Sequence, residues 1–219
     1  MKRFVCINTS TNFKETIYNP FLQPFVKDNP GIKLNTITDD SLMFETRDNN
    51  GITVGVINRM YQYARCAVDM NADCIMCTCT SVSKATSHLK KMIPVPFFNI
   101  EEPTAKAAVD SGTKIGVLAT LTSSPGIIID AMQQYADSCN KKVEFITSIA
   151  EGAYEILSSG NRAEHDKIVN KALVELAKKV DTIIFSQISM SLLPHDDVGI
   201  PIFKLGPLAL QHAKSILLG

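Results

Sequence analysis

Two segments, far apart in the chain, repeat one pattern: an aspartate, a short apolar run and a turn rich in hydroxyl groups. The first is residues 73–83, D-C-I-M-C-T-C-T-S-V-S, and the second is residues 181–193, D-T-I-I-F-S-Q-I-S-M-S-L-L. Counted from each aspartate, Cys79 and Gln187 hold the same position, six residues on. A short apolar run of this kind is typical of a strand buried on both faces of a parallel sheet. The repeat therefore predicts two similar halves, each built around such a strand.

Short β-like runs alternate with longer helical patterns along the whole chain, which indicates βα units and parallel sheets, an α/β fold. The predicted strands, about four in each half, are residues 3–7, 33–37, 74–78, 96–99, 114–119, 143–147, 182–186 and 201–203. Helices are predicted where apolar residues recur at three- and four-residue spacing, at residues 52–71, 83–91, 103–111, 125–138 and 164–180. At 219 residues the chain can form one large domain or two small ones.

Charge and cysteine usage exclude several classes of protein. The chain has 22 Lys and Arg residues and 22 Asp and Glu residues, without a long run of either sign, which argues against a nucleic-acid partner. No segment reads as a signal peptide or membrane span, so we expect a cytoplasmic protein with no membrane partner. In such a chain free thiols are favoured over disulfides. The six cysteines are Cys6, Cys66, Cys74, Cys77, Cys79 and Cys139.

Cys79 is the candidate reactive thiol. In an open parallel sheet, residues just past the carboxyl end of a strand line the ligand crevice. Cys79 lies at such a position, surrounded by hydroxyl residues and ahead of the helix predicted from Ser83. A helix N-terminus favours the thiolate form of a nearby cysteine. The pattern therefore predicts an activated thiol at Cys79.

The other cysteines are interpreted as structural. Cys74, Cys77 and Cys79 form C-x-x-C-x-C, a spacing that some metal sites use. On a strand rising about 3.3 Å per residue, however, Cys74 and Cys77 are roughly 10 Å apart on opposite faces, too far to share a metal ion. We therefore predict no metal site. Cys66 and Cys74 fall inside predicted elements and Cys139 directly follows one; all three are expected to be buried apolar residues.

Hydroxyl and amide side chains cluster after four predicted strands and form a candidate ligand site. They are Asn8, Thr9 and Ser10; Thr80 and Ser81; Thr120, Thr122 and Ser123; and Ser186, Gln187 and Ser189. With backbone N–H groups, such residues can hold a carboxylate or a phosphate. The clusters contain no Lys or Arg and the chain has no G-x-G-x-x-G or Walker motif, which favours a small carboxylate. The alternative is that these residues cap the following helices.

These motifs, in this order, resemble those of the aspartate/glutamate/hydantoin racemase superfamily over essentially the whole chain. The matching pieces are I-N-T-S, D-C-I-M-C-T-C-T-S, I-G-V-L-A-T-L-T-S-S, E-G-A-Y-E-I-L and D-T-I-I-F-S-Q-I-S-M-S-L-L. The resemblance implies two α/β domains, each with a roughly four-stranded parallel sheet flanked by helices. It further implies a pseudo-twofold relation between them, with the site in the cleft. The first domain would comprise residues 1–97 plus 205–219, and the second residues 98–204.

The resemblance also implies the chemistry. In the family, two cysteines face each other across the α-carbon of the substrate; Cys79 matches the first and Gln187 stands at the second. Ser189 replaces a histidine of glutamate racemases, and Asn8 an acidic residue. A carboxamide cannot act as a base near neutral pH, so two-base racemisation is disfavoured. The implied function is a cofactor-independent isomerase or lyase acting on a small carboxylate or amino-acid-like substrate, as a racemase, decarboxylase or cis–trans isomerase. Gln187 would hydrogen-bond the substrate or its enolate.

Three alternatives stay open from the sequence. A catalytically silent protein on the same fold would bind a small carboxylate without turning it over. Cys77, which strand alternation places on the same face as Cys79, would supply the missing base from another direction. A cysteine protease would need one of the histidines to meet Cys79. A homo-oligomer is compatible with the sequence, which does not require one.

Overall fold

A computed structural model describes all 219 residues and divides the chain into two compact units. The first unit comprises Met1–Ile100 and Gly206–Gly219, and the second comprises Glu101–Leu205. Each unit contains one four-stranded sheet in which every strand pair is parallel. No helix is both long enough and apolar enough to cross a bilayer.

In the first unit the strand order is β2-β1-β3-β4. The strands are β1 (Lys2–Asn8), β2 (Ile32–Thr38), β3 (Cys74–Cys77) and β4 (Phe97–Asn99). The helices are α1 (Gln23–Asp28), α2 (Ser41–Asp48), α3 (Val54–Asp69) and α4 (Ser83–Leu89). A π-helical segment, Lys14–Leu22, directly precedes α1. Residues 4–8 of β1 and all of β3 are buried because these strands are central and carry near-continuous apolar runs.

The second unit repeats this order as β6-β5-β7-β8. Its strands are β5 (Lys114–Ala119), β6 (Glu144–Ile149), β7 (Thr182–Phe185) and β8 (Ile202–Phe203). Its helices are α5 (Glu102–Ser111), α6 (Pro125–Ser138), α7 (Ala153–Ser158) and α8 (Arg162–Ala177); the chain then returns to the first unit as α9 (Pro207–Leu218). On one face of the sheet Val117 and Ile184 pack with α5 and α6, and on the other Phe185 packs with α8.

The two repeated aspartates anchor corresponding strands at their amino ends. The Asp73 carboxylate accepts from the N–H of Arg3 at 2.7 Å, and the Asp181 carboxylate accepts from the N–H of Thr113 at 3.0 Å. The hydrogen bond from Arg3 is the main cause that lowers the pKa of Asp73. Gly112 is required beside Asp181, because a Cβ at this residue would lie 2.1 Å from the Asp181 Oδ1 atom.

The α/β fold predicted from the sequence is confirmed: all eight strands and all five helices exist, with ends shifted by a few residues. Helices α1, α2 and α7 and the segment Lys14–Leu22 were not predicted. In α2 only Leu42 is buried, so this helix has no apolar stripe to reveal it. One expectation is wrong: Cys66 and Cys139 are exposed, because each lies on or beyond the solvent side of its helix, whereas Cys74 is buried as expected.

Candidate active site

The clusters identified in the sequence lie at the same place in both sheets. In each unit the strand order reverses between the first and third strands, β1 and β3 or β5 and β7. Ligands of open α/β sheets bind outside the carboxyl ends of the strands at such a switch point. Asn8 is the last residue of β1, and residues 9–10 follow it; residues 78–81 follow β3. In the second unit, residues 120–123 follow β5 and residues 186–189 follow β7.

Cys79 lies two residues past the end of β3. Its backbone is extended, and its carbonyl accepts from the N–H of Val82 at 3.4 Å, which closes the single helical turn Thr80–Val82. The free thiol is only partly buried and packs against an apolar cluster that includes Ile7, Leu42 and Val82. Cys79 therefore packs on apolar side chains while part of the residue remains exposed to solvent.

Cys77 occupies a different environment from Cys79. It contacts the same apolar cluster but is fully buried, and its Sγ donates to the backbone oxygen of Cys79 at 3.5 Å. Cys74 and Cys6 are also fully buried, and burial raises the pKa of Cys74 to about 12 and that of Cys6 well above its ordinary value. No group of three or more His, Cys, Asp or Glu side chains in the chain is arranged to hold a metal ion.

Asn8 shapes the loop that follows β1. Its side chain is fully buried; the Oδ1 atom accepts from the N–H of Ser10 at 3.1 Å and from the hydroxyl of Thr78 at 3.3 Å, and Nδ2 donates to the Ser10 carbonyl at 3.0 Å. The neighbouring Thr9 is fully buried as well, and its hydroxyl has no hydrogen-bond partner within the protein. The loop therefore offers a buried hydroxyl at Thr9 and a partly exposed one at Ser10.

Gln187 holds the corresponding place in the second unit. It lies two residues past β7 with an extended backbone, and its carbonyl accepts from the N–H of Met190 at 3.1 Å to close the turn Ile188–Met190. Its side-chain Oε1 accepts from the N–H of Thr120 at 2.8 Å and from the Thr120 hydroxyl at 2.9 Å. Because a backbone N–H can only donate, this contact fixes which side of the carboxamide carries the oxygen. The Nε2 group takes no part in these bonds and remains a donor.

The hydroxyl groups near β7 include one residue that sequence reasoning missed. Ser186 is buried, and its Oγ lies 2.9 Å from the Oγ of Ser124, which also donates to the Leu121 carbonyl at 3.0 Å. Thr122 and Ser123, the residues of this cluster that the sequence predicts for the site, are exposed. Ser124 directly precedes Pro125, the first residue of α6, but its side chain makes no capping bond there, so no local pattern in the sequence indicates its contact with Ser186.

The remaining predicted site residues lie in the two turns after the central strands, and three of the histidines contact residues other than Cys79. Thr80 and Ser81 lie in the turn after Cys79 and Ser189 in the turn after Gln187, all partly buried. His165 is hydrogen-bonded to the carboxylate of Asp166 at 2.7 Å, and His195 to the carbonyl of Asp196. His212 packs edge-on against the ring of Phe98.

Comparison with known proteins identifies the family and the fold of the chain. A family model described as Asp/Glu/Hydantoin racemase matches residues 43–213. The chain belongs to the Asp/Glu/hydantoin racemase family. A search of curated proteins finds no significant match.

Several solved structures share the fold along the whole chain. A candidate Asp/Glu racemase from Yersinia pestis is 20% identical with a TM-score of 0.73, and an aspartate racemase homologue from Pyrococcus horikoshii is 13% identical with a TM-score of 0.75; both alignments cover 100% of each chain. An unliganded arylmalonate decarboxylase is 12% identical with a TM-score of 0.57, covering 100% of this chain and 94% of that one. At these identities the likeness establishes the fold.

Proposed function

We propose that this protein is a cofactor-independent enzyme in which Cys79 transfers a proton at the α-carbon of a small carboxylate or amino-acid-like substrate. The observation that carries the proposal is the partly exposed thiol of Cys79 at the switch point between β1 and β3, in a chain of the racemase family. A cysteine side chain can take up a proton as the thiolate and return it as the thiol. The proposed reaction uses no cofactor.

In this proposal Gln187 is a hydrogen-bond donor to the substrate rather than a second base. Its oxygen is occupied by Thr120, so the part that a ligand can meet is the Nε2 group. Amide N–H groups stabilise a carboxylate or an enolate oxygen. Proton exchange is then confined to one face of the α-carbon.

The hydroxyl groups at both switch points would bind the carboxylate. Thr9 has the clearest support, because a buried hydroxyl without a partner costs about 1–3 kcal/mol and a carboxylate oxygen would accept its hydrogen bond. Asn8, whose hydrogen bonds lie within its own loop and to Thr78, would hold Thr9 and Ser10 in place. The other proposed binding residues are Thr80, Ser81, Thr120, Thr122, Ser123, Ser186 and Ser189.

Incubation in heavy water tests the reaction directly. The panel comprises aspartate, glutamate, hydantoins and arylmalonates, chosen from the family description and from the decarboxylase of the same fold. We expect deuterium at the α-carbon with retained configuration, or one enantiomer of a decarboxylated product. Cys79→Ala should abolish the exchange, whereas Cys66→Ala, at an exposed cysteine of α3, should leave it unchanged. Rapid racemisation by the unaltered protein would contradict a single proton-transfer face.

A catalytically silent binding protein is the second candidate, and the amide at Gln187 is the observation that favours it. Such a protein would bind small carboxylates with the same affinity after Cys79→Ser and would exchange no deuterium with any of them. Calorimetric binding measured beside the exchange assay separates the two functions.

A further inference from the structure

The segment that joins β2 to α3 carries a polar network outside the proposed site. Its centre is Arg59 on α3, whose Nη1 donates to Asp39 Oδ2 at 3.2 Å and to Ser41 Oγ at 2.5 Å, and whose Nη2 donates to Glu45 Oε2. Asp39 directly follows β2 and Glu45 lies on α2, so one guanidinium ties together three elements of the first unit. The Asp39 side chain is 16% exposed and that of Arg59 is 32% exposed.

Further bonds hold both carboxylates in place. The Tyr63 hydroxyl donates to Asp39 Oδ2 at 2.7 Å, and the Ser41 N–H donates to Asp39 Oδ1 at 3.0 Å. The Thr53 hydroxyl donates to Glu45 Oε1. The planar guanidinium suits this arrangement because it can donate to two carboxylates at once, whereas an ammonium group is a compact point charge.

From Asp39 a line of hydrogen bonds leads to the residue next to Cys79. The Asp39 N–H donates to the carbonyl of Asn8 at 3.0 Å, and the Oδ1 atom of Asn8 accepts from the hydroxyl of Thr78 at 3.3 Å. Thr78 immediately precedes Cys79 in the chain. This route connects Arg59 to the amino-terminal side of the thiol.

A second route runs through α2. The helix packs against the turn Thr80–Val82, and its Leu42 is fully buried in the apolar cluster that contains Val82. Cys79 packs against the same cluster. Because Arg59 holds Glu45 on this helix, the network also reaches the carboxyl-terminal side of the thiol.

The second unit shows that the backbone does not need such a network. After β6, the N–H of Ala150 donates to the carbonyl of Ala119 at 2.8 Å, the same bond that Asp39 makes to Asn8. Ala150 is 2% exposed and belongs to an apolar cluster. The ionic arrangement is therefore particular to the unit that carries Cys79.

We propose that Arg59 is a positioning residue that holds α2 against the turn after Cys79 and so sets how the thiol is presented. The proposal rests on the role of Cys79 given above. Releasing α2 uncovers the apolar contact on which Cys79 packs, so the thiol becomes more accessible while the sheet stays folded.

The test measures how fast iodoacetamide alkylates each thiol, resolved by fragment mass spectrometry, in a Cys66→Ser and Cys139→Ser background that removes the two exposed cysteines. Arg59→Gln should raise the rate at Cys79 by at least about threefold, while the buried Cys77 stays protected. Arg59→Lys should give an intermediate rate. The matched control is Arg65→Gln on the same helix, whose guanidinium lies 3.8 Å from Asp69; its rate should be unchanged.

Equal Cys79 rates in the Arg59→Gln and Arg65→Gln proteins would overturn the proposal. Parallel increases at Cys79 and Cys77 would also overturn it, since they indicate general loosening. If Arg59→Gln does not fold, Tyr63→Phe removes a single bond to Asp39 and should shift the Cys79 rate in the same direction by less. The alkylation assay needs no substrate, so it is independent of the exchange assay. If the unaltered protein shows no deuterium exchange, the proposed function fails but the positioning role of Arg59 does not. If alkylation of Cys79 is unchanged in Arg59→Gln, the positioning role fails even where exchange occurs.

Discussion

The two switch points share a backbone and differ in what their side chains do. Cys79 and Gln187 each follow a buried four-residue strand by two positions and each begin a single helical turn. The thiol packs on an apolar cluster without a fixed polar partner, whereas the carboxamide is locked by Thr120. In the first unit, hydrogen bonds of Asn8 hold the loop in place and leave Cys79 out of the network. In the second unit, the candidate ligand-binding side chain, Gln187, makes the corresponding hydrogen bonds itself. The repeat thus preserves backbone positions, and in the proposed function its side chains assign proton transfer to the first unit and hydrogen bonding to the second.

The largest expected effect separates these two roles. Cys79→Ala should lower deuterium exchange by about 10⁴-fold, the upper end of what general acid–base catalysis typically contributes, because no second base is proposed. Gln187→Ala should leave slow exchange, reduced about 10²-fold, as is typical when one donor to a developing oxyanion is lost. Exchange rates by NMR in heavy water make the measurement. If Cys79→Ala and Gln187→Ala show the same residual exchange rate, Cys79 and Gln187 do not differ in the way proposed.

An intermediate effect concerns the aspartate anchors. Gly112→Ala should lower the free energy of unfolding by about 1–3 kcal/mol, because its Cβ would collide with the Asp181 carboxylate that holds β7 to β5. Gly126→Ala is the control, since nothing lies within 4 Å of a Cβ at that residue of α6. Urea unfolding of both variants gives the comparison. A Gly112→Ala protein as stable as Gly126→Ala would show that the anchor in the second unit is not tightly packed.

The smallest expected effect is the pH dependence of stability that Asp39 of the first unit contributes. Burial alone would raise the pKa of Asp39, but hydrogen bonds from Ser41 and Tyr63 and the charge of Arg59 lower it below its ordinary value of 3.8. A carboxyl group with a lowered folded-state pKa stabilises the protein fully above the unfolded value, and this contribution is lost as the pH falls through the folded value. The stability gap between the unaltered protein and Asp39→Asn should therefore be widest near neutral pH and shrink below 3.8.

Thermal unfolding across this pH range provides the measurement, with Asp137→Asn on the exposed side of α6 as control. If the difference in stability between the unaltered protein and Asp39→Asn stays constant as the pH falls below 3.8, Asp39 contributes through its packing and hydrogen bonds rather than through its charge.

The sequence by itself determined the sheets, the central strands and the place of Cys79 and Gln187. A continuous apolar run such as residues 74–77 predicts a strand that is buried on both faces of a parallel sheet. Residues just past the carboxyl ends of such strands are where open α/β sheets bind ligands. These are local rules, readable from neighbouring residues.

Only the tertiary structure decided which polar groups are used internally and which remain for a ligand. Asn8 and Thr9 are adjacent and both fully buried, yet the first is bonded within its loop and the second has an unpartnered hydroxyl. The bond from Thr120 to Gln187 and the network of Arg59 join residues distant in sequence. The exposure of Cys66 and Cys139 depends on which helix face meets the sheet. A linear sequence does not encode such contacts locally, because they form only when separate elements pack together.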